Sequence, residues 1–140
     1  METKTFYNEV LTDHNMHPYH KHDIDNADLE LEGVNPSCGD DITLEIKKDG
    51  DIITDLAFTG HGCAISQAST SIMIDLLKGK TVEQATKLIS IFIRMIKREN
   101  VSEEELNELE EAQALKNISN MPARVKCAEL AWYTMQKLLE

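Results

Sequence analysis

The hydrophobic period changes once along this chain, at Gly60-His61-Gly62, and that change restricts the fold more than any other feature of the sequence. Before it, apolar residues alternate with polar ones: Leu29 and Leu31 in 27–33, Ile42, Leu44 and Ile46 in 41–48, Ile52, Leu56 and Phe58 in 51–59. Alternation buries one face of an extended segment and leaves the other in water, so each run predicts a strand. Lys48-Asp49-Gly50-Asp51 joins the last two runs, and Asp-Gly at its centre predicts a tight hairpin. A three-stranded antiparallel meander is the economical arrangement.

After the change, apolar residues recur every three to four positions. Ile65, Ala68, Ile72 and Leu76 form one helical stripe that Gly79 ends, and Val82, Ala85, Ile89, Phe92 and Ile96 form a second. Thr81-Val82-Glu83-Gln84 is a capping-box pattern opening the second, and Ser102-Glu103-Glu104-Glu105 repeats it before a short acidic helix. Pro122 suits the first turn of a last helix, where a missing N–H is no loss; its stripe is Ala128, Ala131, Trp132, Met135, Leu138 and Leu139. A first helix is expected over 4–16, with Phe6, Tyr7, Val10, Leu11 and His14 at helical spacing and Pro18 ending it. Strands first and helices afterwards predict an α+β fold: a three-stranded antiparallel sheet with helices packed on one face, residues 1–140 making a single domain. A chain of this length buries roughly two-thirds of its unfolded surface, so it has a core without disulfides.

Charge narrows the partners. Fourteen Lys and Arg against 25 Asp and Glu leave a net charge of −11, which argues against nucleic acid and anionic membrane and suits a basic or mixed-charge protein surface. No basic-then-apolar leader opens the chain, and the apolar run 88–96 is broken by Ser90 and Arg94 and too short for a bilayer, so a cytoplasmic protein is expected. In that reducing compartment three cysteines do not make a disulfide framework; they are core fillers, metal ligands or reactive thiols.

Their placement bears on that choice. Cys38 lies in the turn-forming Asn35-Pro36-Ser37-Cys38-Gly39-Asp40, Cys63 at the first turn of a helix, and Cys127 near the start of the last helix, about 100° from its apolar stripe. Fillers more often sit within the stripes, whereas element ends are where a folded domain gathers ligands. Three thiolates leave one vacancy in a tetrahedral zinc site. Asp40, across one glycine from Cys38, and His61, beside Cys63, both offer a fourth ligand. Three thiolates and a carboxylate on Zn²⁺ carry a net charge of about −2. Helix N–H groups near Cys63, and Arg124 and Lys126 near Cys127, are candidates to balance it. The C-x-D…C…C spacing lacks the paired knuckles of a zinc finger and by itself leaves metal and filler open.

Three motifs in order carry more. Asn35-Pro36-Ser37-Cys38-Gly39-Asp40, Gly60-His61-Gly62-Cys63-Ala64-Ile65-Ser66 and Pro122-Ala123-Arg124-Val125-Lys126-Cys127-Ala128, with Asp13-His14, His17-Pro18 and the Asp-Gly hairpin, resemble the IscU/SufU family of iron–sulfur cluster assembly proteins over nearly the whole chain. Cys63 and Cys127 are 127 − 63 = 64 positions apart, longer than in the scaffold type, and residues from about 100 to 117 look like an extra helical segment. Lys126 stands where the scaffold type has a histidine, and 121–126 where it has a Leu-Pro-Pro-Val-Lys chaperone-docking motif; both departures resemble the SufU branch. The resemblance implies zinc held by Cys38, Asp40, Cys63 and Cys127. It also implies Cys38 as acceptor of persulfide sulfur from a pyridoxal-phosphate-dependent cysteine desulfurase (SufS-like), which the protein stimulates, with other iron–sulfur assembly proteins as further partners. A scaffold carrying a transient iron–sulfur cluster on the same ligands is the alternative function. Arg124 either supports the anionic site or lies on the helix surface.

Two groups of residues have simpler readings. His14, His17, His20 and His22 have the composition of a metal tract, but their irregular spacing at a helix end predicts a solvated face. The acidic stretch 103–111 reads as a solvated helix face, with desulfurase docking as the alternative.

Overall fold

The computed structural model describes residues 9–14 and 20–140. Residues 9–14 are helical (α1), with Val10, Leu11 and His14 buried. Phe6, Tyr7, His17 and Pro18, and so most of the helix expected over 4–16, lie outside the described residues. Strands β1 (Leu29–Asn35), β2 (Asp40–Asp49) and β3 (Ile52–His61) form an antiparallel sheet in sequence order. Helices α2 (Ala64–Leu77), α3 (Val82–Ile96), α4 (Glu103–Glu108), a 3-10 run at Glu110–Asn120, and α5 (Pro122–Leu138) follow. A three-stranded antiparallel sheet with helices packed against it is the arrangement the single change of period predicts. Among the described residues no helix is long and apolar enough to cross a membrane.

The hairpin differs from its simplest reading by one residue. Asp49 pairs with Ile52, so the loop residues are Gly50 and Asp51, one position later than an Asp-Gly centre would give. A bulge explains the phase. Lys47 pairs with Asp55 but Lys48 with Ile53, leaving Thr54 unpaired, its hydroxyl donating to the Lys47 carbonyl at 3.0 Å. The extra residue switches which side chains face inward. Ile53 is buried and Ile52 is 46% exposed, although strict alternation with Leu56 and Phe58 puts Ile52 on the core face. The outer edge of β3 is covered: Phe58 N–H bonds the His20 carbonyl, and Ile53 exchanges bonds with Gly79 and Lys80.

Helix α2 lies deepest, with buried residues around its circumference, including Ser66, Ser69, Thr70 and Ser71, which an apolar stripe does not capture. These hydroxyls are tolerated because most have partners. Ser69 Oγ donates to the Ala128 carbonyl and accepts from Trp132 Nε1, while Thr70 Oγ1 donates to the Ser66 carbonyl. Trp132 also stacks on Phe92 at 3.8 Å between ring centroids. The seam therefore ties α2, α3 and α5 together. Helix α5 crosses β1 so closely that a β-carbon on Gly33 would stand 2.0 Å from Thr134 Oγ1. Both capping boxes form, at Thr81/Gln84 and at Ser102/Glu105. This packing fixes the starts of α2 and α5 against the β1–β2 turn.

Candidate metal centre

Strands β1 and β2 are joined by Pro36-Ser37-Cys38-Gly39, a turn in which the Cys38 N–H donates to the Asn35 carbonyl at 3.2 Å. Gly39 takes φ +72°, a conformation that a β-carbon strains, so glycine lets the chain reverse directly after Cys38. Asp40 is consequently the first residue of β2, opposite Asn35 in register, and its side chain is fully buried. Cys63 is the N-cap of α2: its Sγ accepts from the Ser66 N–H at 3.4 Å, and its own N–H donates to Asp40 Oδ1 at 2.8 Å. Cys127, in the second turn of α5, is buried, with its Sγ 2.9 Å from that of Cys38. Its position off the apolar stripe places it outside the main hydrophobic cluster, yet not in solvent.

One ligand atom from each of Cys38, Asp40 and Cys127 lies within 4.8 Å of the others, a group that could hold a metal ion. Thiolates sharing one tetrahedral zinc stand about 3.8 Å apart, so the two sulfurs, at 2.9 Å, would separate by about 1 Å to hold an ion. The sharper test is hydrogen bonding. Asp40 Oδ1 is used by Cys63, but Oδ2 is buried with no hydrogen-bond partner. Leaving a buried polar atom unsatisfied costs about 1–3 kcal/mol, more when it is charged, so a cation beside Oδ2 fits this site. Asn35 Nδ2 and Ser66 Oγ are also buried without partners. A β-carbon on Gly62 would stand 2.8 Å from Asp40 Oδ1 and 3.1 Å from Ser66 Oγ, so the link from β3 to α2 passes directly over this carboxylate.

Cys63 stands outside the close trio but near Cys127. Burial, and then contact with the Cys38 and Cys63 thiols and the Asp40 charge, pushes the Cys127 thiol far above its ordinary value. His61, the rival fourth ligand, is exposed at the end of β3. Arg124 and Lys126 are exposed on the first turns of α5, and Arg124 pairs with no carboxylate among the described residues. Asn35 and Ser66 lie within the motifs around Cys38 and Cys63, but the sequence gives neither a role; Ser66 stands three residues after the N-cap of α2.

The model of the NifU-like N terminal domain matches residues 6–138. The zinc-dependent sulfurtransferase SufU of Bacillus subtilis (strain 168) is 39% identical over 133 residues, covering 95% of this chain and 88% of that protein. The iron–sulfur cluster assembly scaffold protein IscU of Streptococcus pyogenes serotype M1 is 39% identical over 135 residues, covering 96% and 82%. A crystal structure from Fervidobacterium islandicum AW-1, described as an iron–sulfur cluster assembly scaffold protein for the SUF system, superposes with a TM-score of 0.90 at 38% identity, covering 97% of this chain and 98% of that one. The chain belongs to the NifU-like N-terminal domain family and is an iron–sulfur cluster assembly protein of the IscU/SufU type.

Proposed function

We propose that this protein is a cytoplasmic zinc-dependent sulfur acceptor, holding zinc with Cys38, Asp40, Cys63 and Cys127 and taking persulfide sulfur from a cysteine desulfurase onto Cys38. The observation that carries the reading is an asymmetry within the site. Asp40 and Cys127 are buried and one carboxylate oxygen lacks a partner, while Cys38 and Cys63 are both half-buried; Cys63 is held as the N-cap of α2, and Cys38 sits in a turn. Cys38 is the group best placed to leave the others and meet a second protein. Bound zinc would keep the thiols as thiolates. The Cys38 thiolate then attacks the terminal sulfur of the donor's cysteine persulfide. A new S–S bond forms at Cys38, the donor's S–S bond breaks, and its electron pair returns to the donor cysteine as a thiolate. The net charge of −11 favours a partner with a basic or mixed-charge face. The 39% identity to a protein named for this activity supports the reading.

The scaffold reading rests on a different observation, the equal identity to the S. pyogenes scaffold. Thiolate ligands bind zinc and iron–sulfur clusters alike, so the donor set does not separate the two. Quantifying zinc and iron in protein purified without added metal, then mixing it with the cysteine desulfurase of the same organism and cysteine, does. Sulfur transfer predicts about one zinc per chain at the cysteines and strong stimulation that Cys38→Ala abolishes. Iron with acid-labile sulfide and little stimulation would move the assignment to the scaffold.

A further inference from the structure

We propose that His14, Asp75 and Glu111 form a second metal site, for one divalent first-row transition ion, at the end of α2 remote from the cysteines. Asp75 is twelve residues beyond Cys63 along α2, about 18 Å at helical rise, so the two sites share no ligand.

His22 is exposed as its spacing predicts and His17 lies outside the described residues, but His14 and His20 are not on a solvated face. His14 is 3% exposed, and His20 is largely covered, with only 15% of its side chain exposed. Ser71 and Asp75 lie one turn apart on α2 and both face the His14 ring. Nδ1 is 2.7 Å from Ser71 Oγ, and Nε2 is 3.7 Å from Asp75 Oδ2. The serine contact fixes which ring nitrogen points at the carboxylate, as outer partners of metal-bound histidines do. A separation of 3.7 Å is too long for a hydrogen bond but near the roughly 3.3 Å between nitrogen and oxygen ligands on one ion. Asp75 is oriented in turn, because its Oδ1 bonds His20 Nε2 at 2.5 Å.

Glu111 arrives from another element. Buried Leu109 ends α4, Glu110 turns the chain with φ +51°, and the 3-10 run begins beside α2. One ligand atom from each of His14, Asp75 and Glu111 then lies within 4.8 Å of the others. A cleft of about 50 Å³ lined by Asp75, Leu109 and Glu111 adjoins them, room for about one water that an ion could retain. One imidazole and two carboxylates make a site of net charge about −2, which a dication neutralises, and this mixed donor set suits Zn²⁺, Fe²⁺ or Mn²⁺.

Cobalt(II) distinguishes the two sites, since only thiolate ligands give an intense ligand-to-metal charge-transfer band. The metal-free full chain would be titrated with Co²⁺, counting bound ions by equilibrium dialysis while recording that band. The proposal expects an ion that binds without the band. Asp75→Asn and Glu111→Gln should each weaken that ion at least about tenfold to a hundredfold, and Ser71→Ala by a comparable factor, with the thiolate band unchanged. Far-UV circular dichroism checks that each variant is folded; Glu111 is exposed, so its variant has no packing to lose. No band-silent ion, or one indifferent to both Asp75→Asn and Glu111→Gln, overturns the proposal. Loss of the band alone counts only against the cysteine site.

Discussion

Replacing Ser69 with alanine removes one oxygen from the middle of the helical layer, and the structure sets the size of the effect. Ser69 is fully buried, its Oγ 2.6 Å from the Ala128 carbonyl and 2.9 Å from Trp132 Nε1. The Ala128 carbonyl keeps its helical bond, so its loss is small, about 0.5 kcal/mol. The indole N–H is left buried without an acceptor, which costs about 1–3 kcal/mol. Alanine's better helix propensity returns about 0.5 kcal/mol. The net expectation is a loss of about 1–3 kcal/mol, or a fall in urea midpoint of about 0.5–1.5 M for an m-value near 2 kcal/mol/M. Trp132 is the only tryptophan, so its emission reports on the affected side chain as the protein unfolds. A double-mutant cycle with Trp132→Phe, followed by circular dichroism, removes the orphaned donor and should recover at least about 1 kcal/mol. A midpoint for Ser69→Ala within about 0.2 M of the parent would refute the reasoning, because it would mean that the indole finds another acceptor.

Other consequences can be checked in the same way. Gly33→Ala places a methyl 2.0 Å from Thr134 Oγ1, so it should destabilise by about 1–3 kcal/mol, and Thr134→Ala in the same chain should restore most of that; no rescue means the clash lies elsewhere. The Arg94 guanidinium, with the Ser102 N–H, holds the Glu105 carboxyl below its ordinary 4.5, so this stabilisation is present above pH 4.5 and disappears as pH falls through the lowered value. The gap in urea midpoint between the parent and Glu105→Gln should therefore close on acidification from pH 7, and a gap that does not change with pH contradicts the pairing. Zinc at one hundred times its dissociation constant should stabilise the protein by about 2.7 kcal/mol in thermal unfolding, and a chelator should reverse it. Asp40→Ala should blunt that gain, whereas a melting temperature indifferent to zinc removes Asp40 Oδ2 as evidence for a cation.

Much of this was legible because local rules and tertiary contacts agree. The alternation before Gly60 and the helical period after it gave the α+β order, and two capping boxes marked the starts of α3 and α4. Where reading failed, a non-local cause is visible. The bulge at Thr54 swaps Ile52 for Ile53 on the core face, and nothing in the local sequence announces it. Ser69 and Ser71 fall outside the apolar stripe of α2 yet are buried, because α5 and α1 supply hydrogen-bond partners from 57 or more positions away. Asp40 reads as a candidate ligand by its spacing from Cys38, but its burial follows from strand pairing with Asn35. Turn and cap positions exposed the cysteines as candidates, but the proximity of Cys38 to Cys127 depends on α5 crossing β1, which no spacing encodes.

Sulfur transfer by this protein turns on Cys38 as the acceptor. The most direct measurement is a single turnover with the desulfurase and ³⁵S-labelled cysteine, followed by alkylation and peptide mass spectrometry of this chain. One persulfide sulfur should appear on the peptide containing Cys38 and be absent from Cys38→Ala while that variant stays folded. Label on the Cys63 or Cys127 peptide, or undiminished labelling of Cys38→Ala, would contradict it.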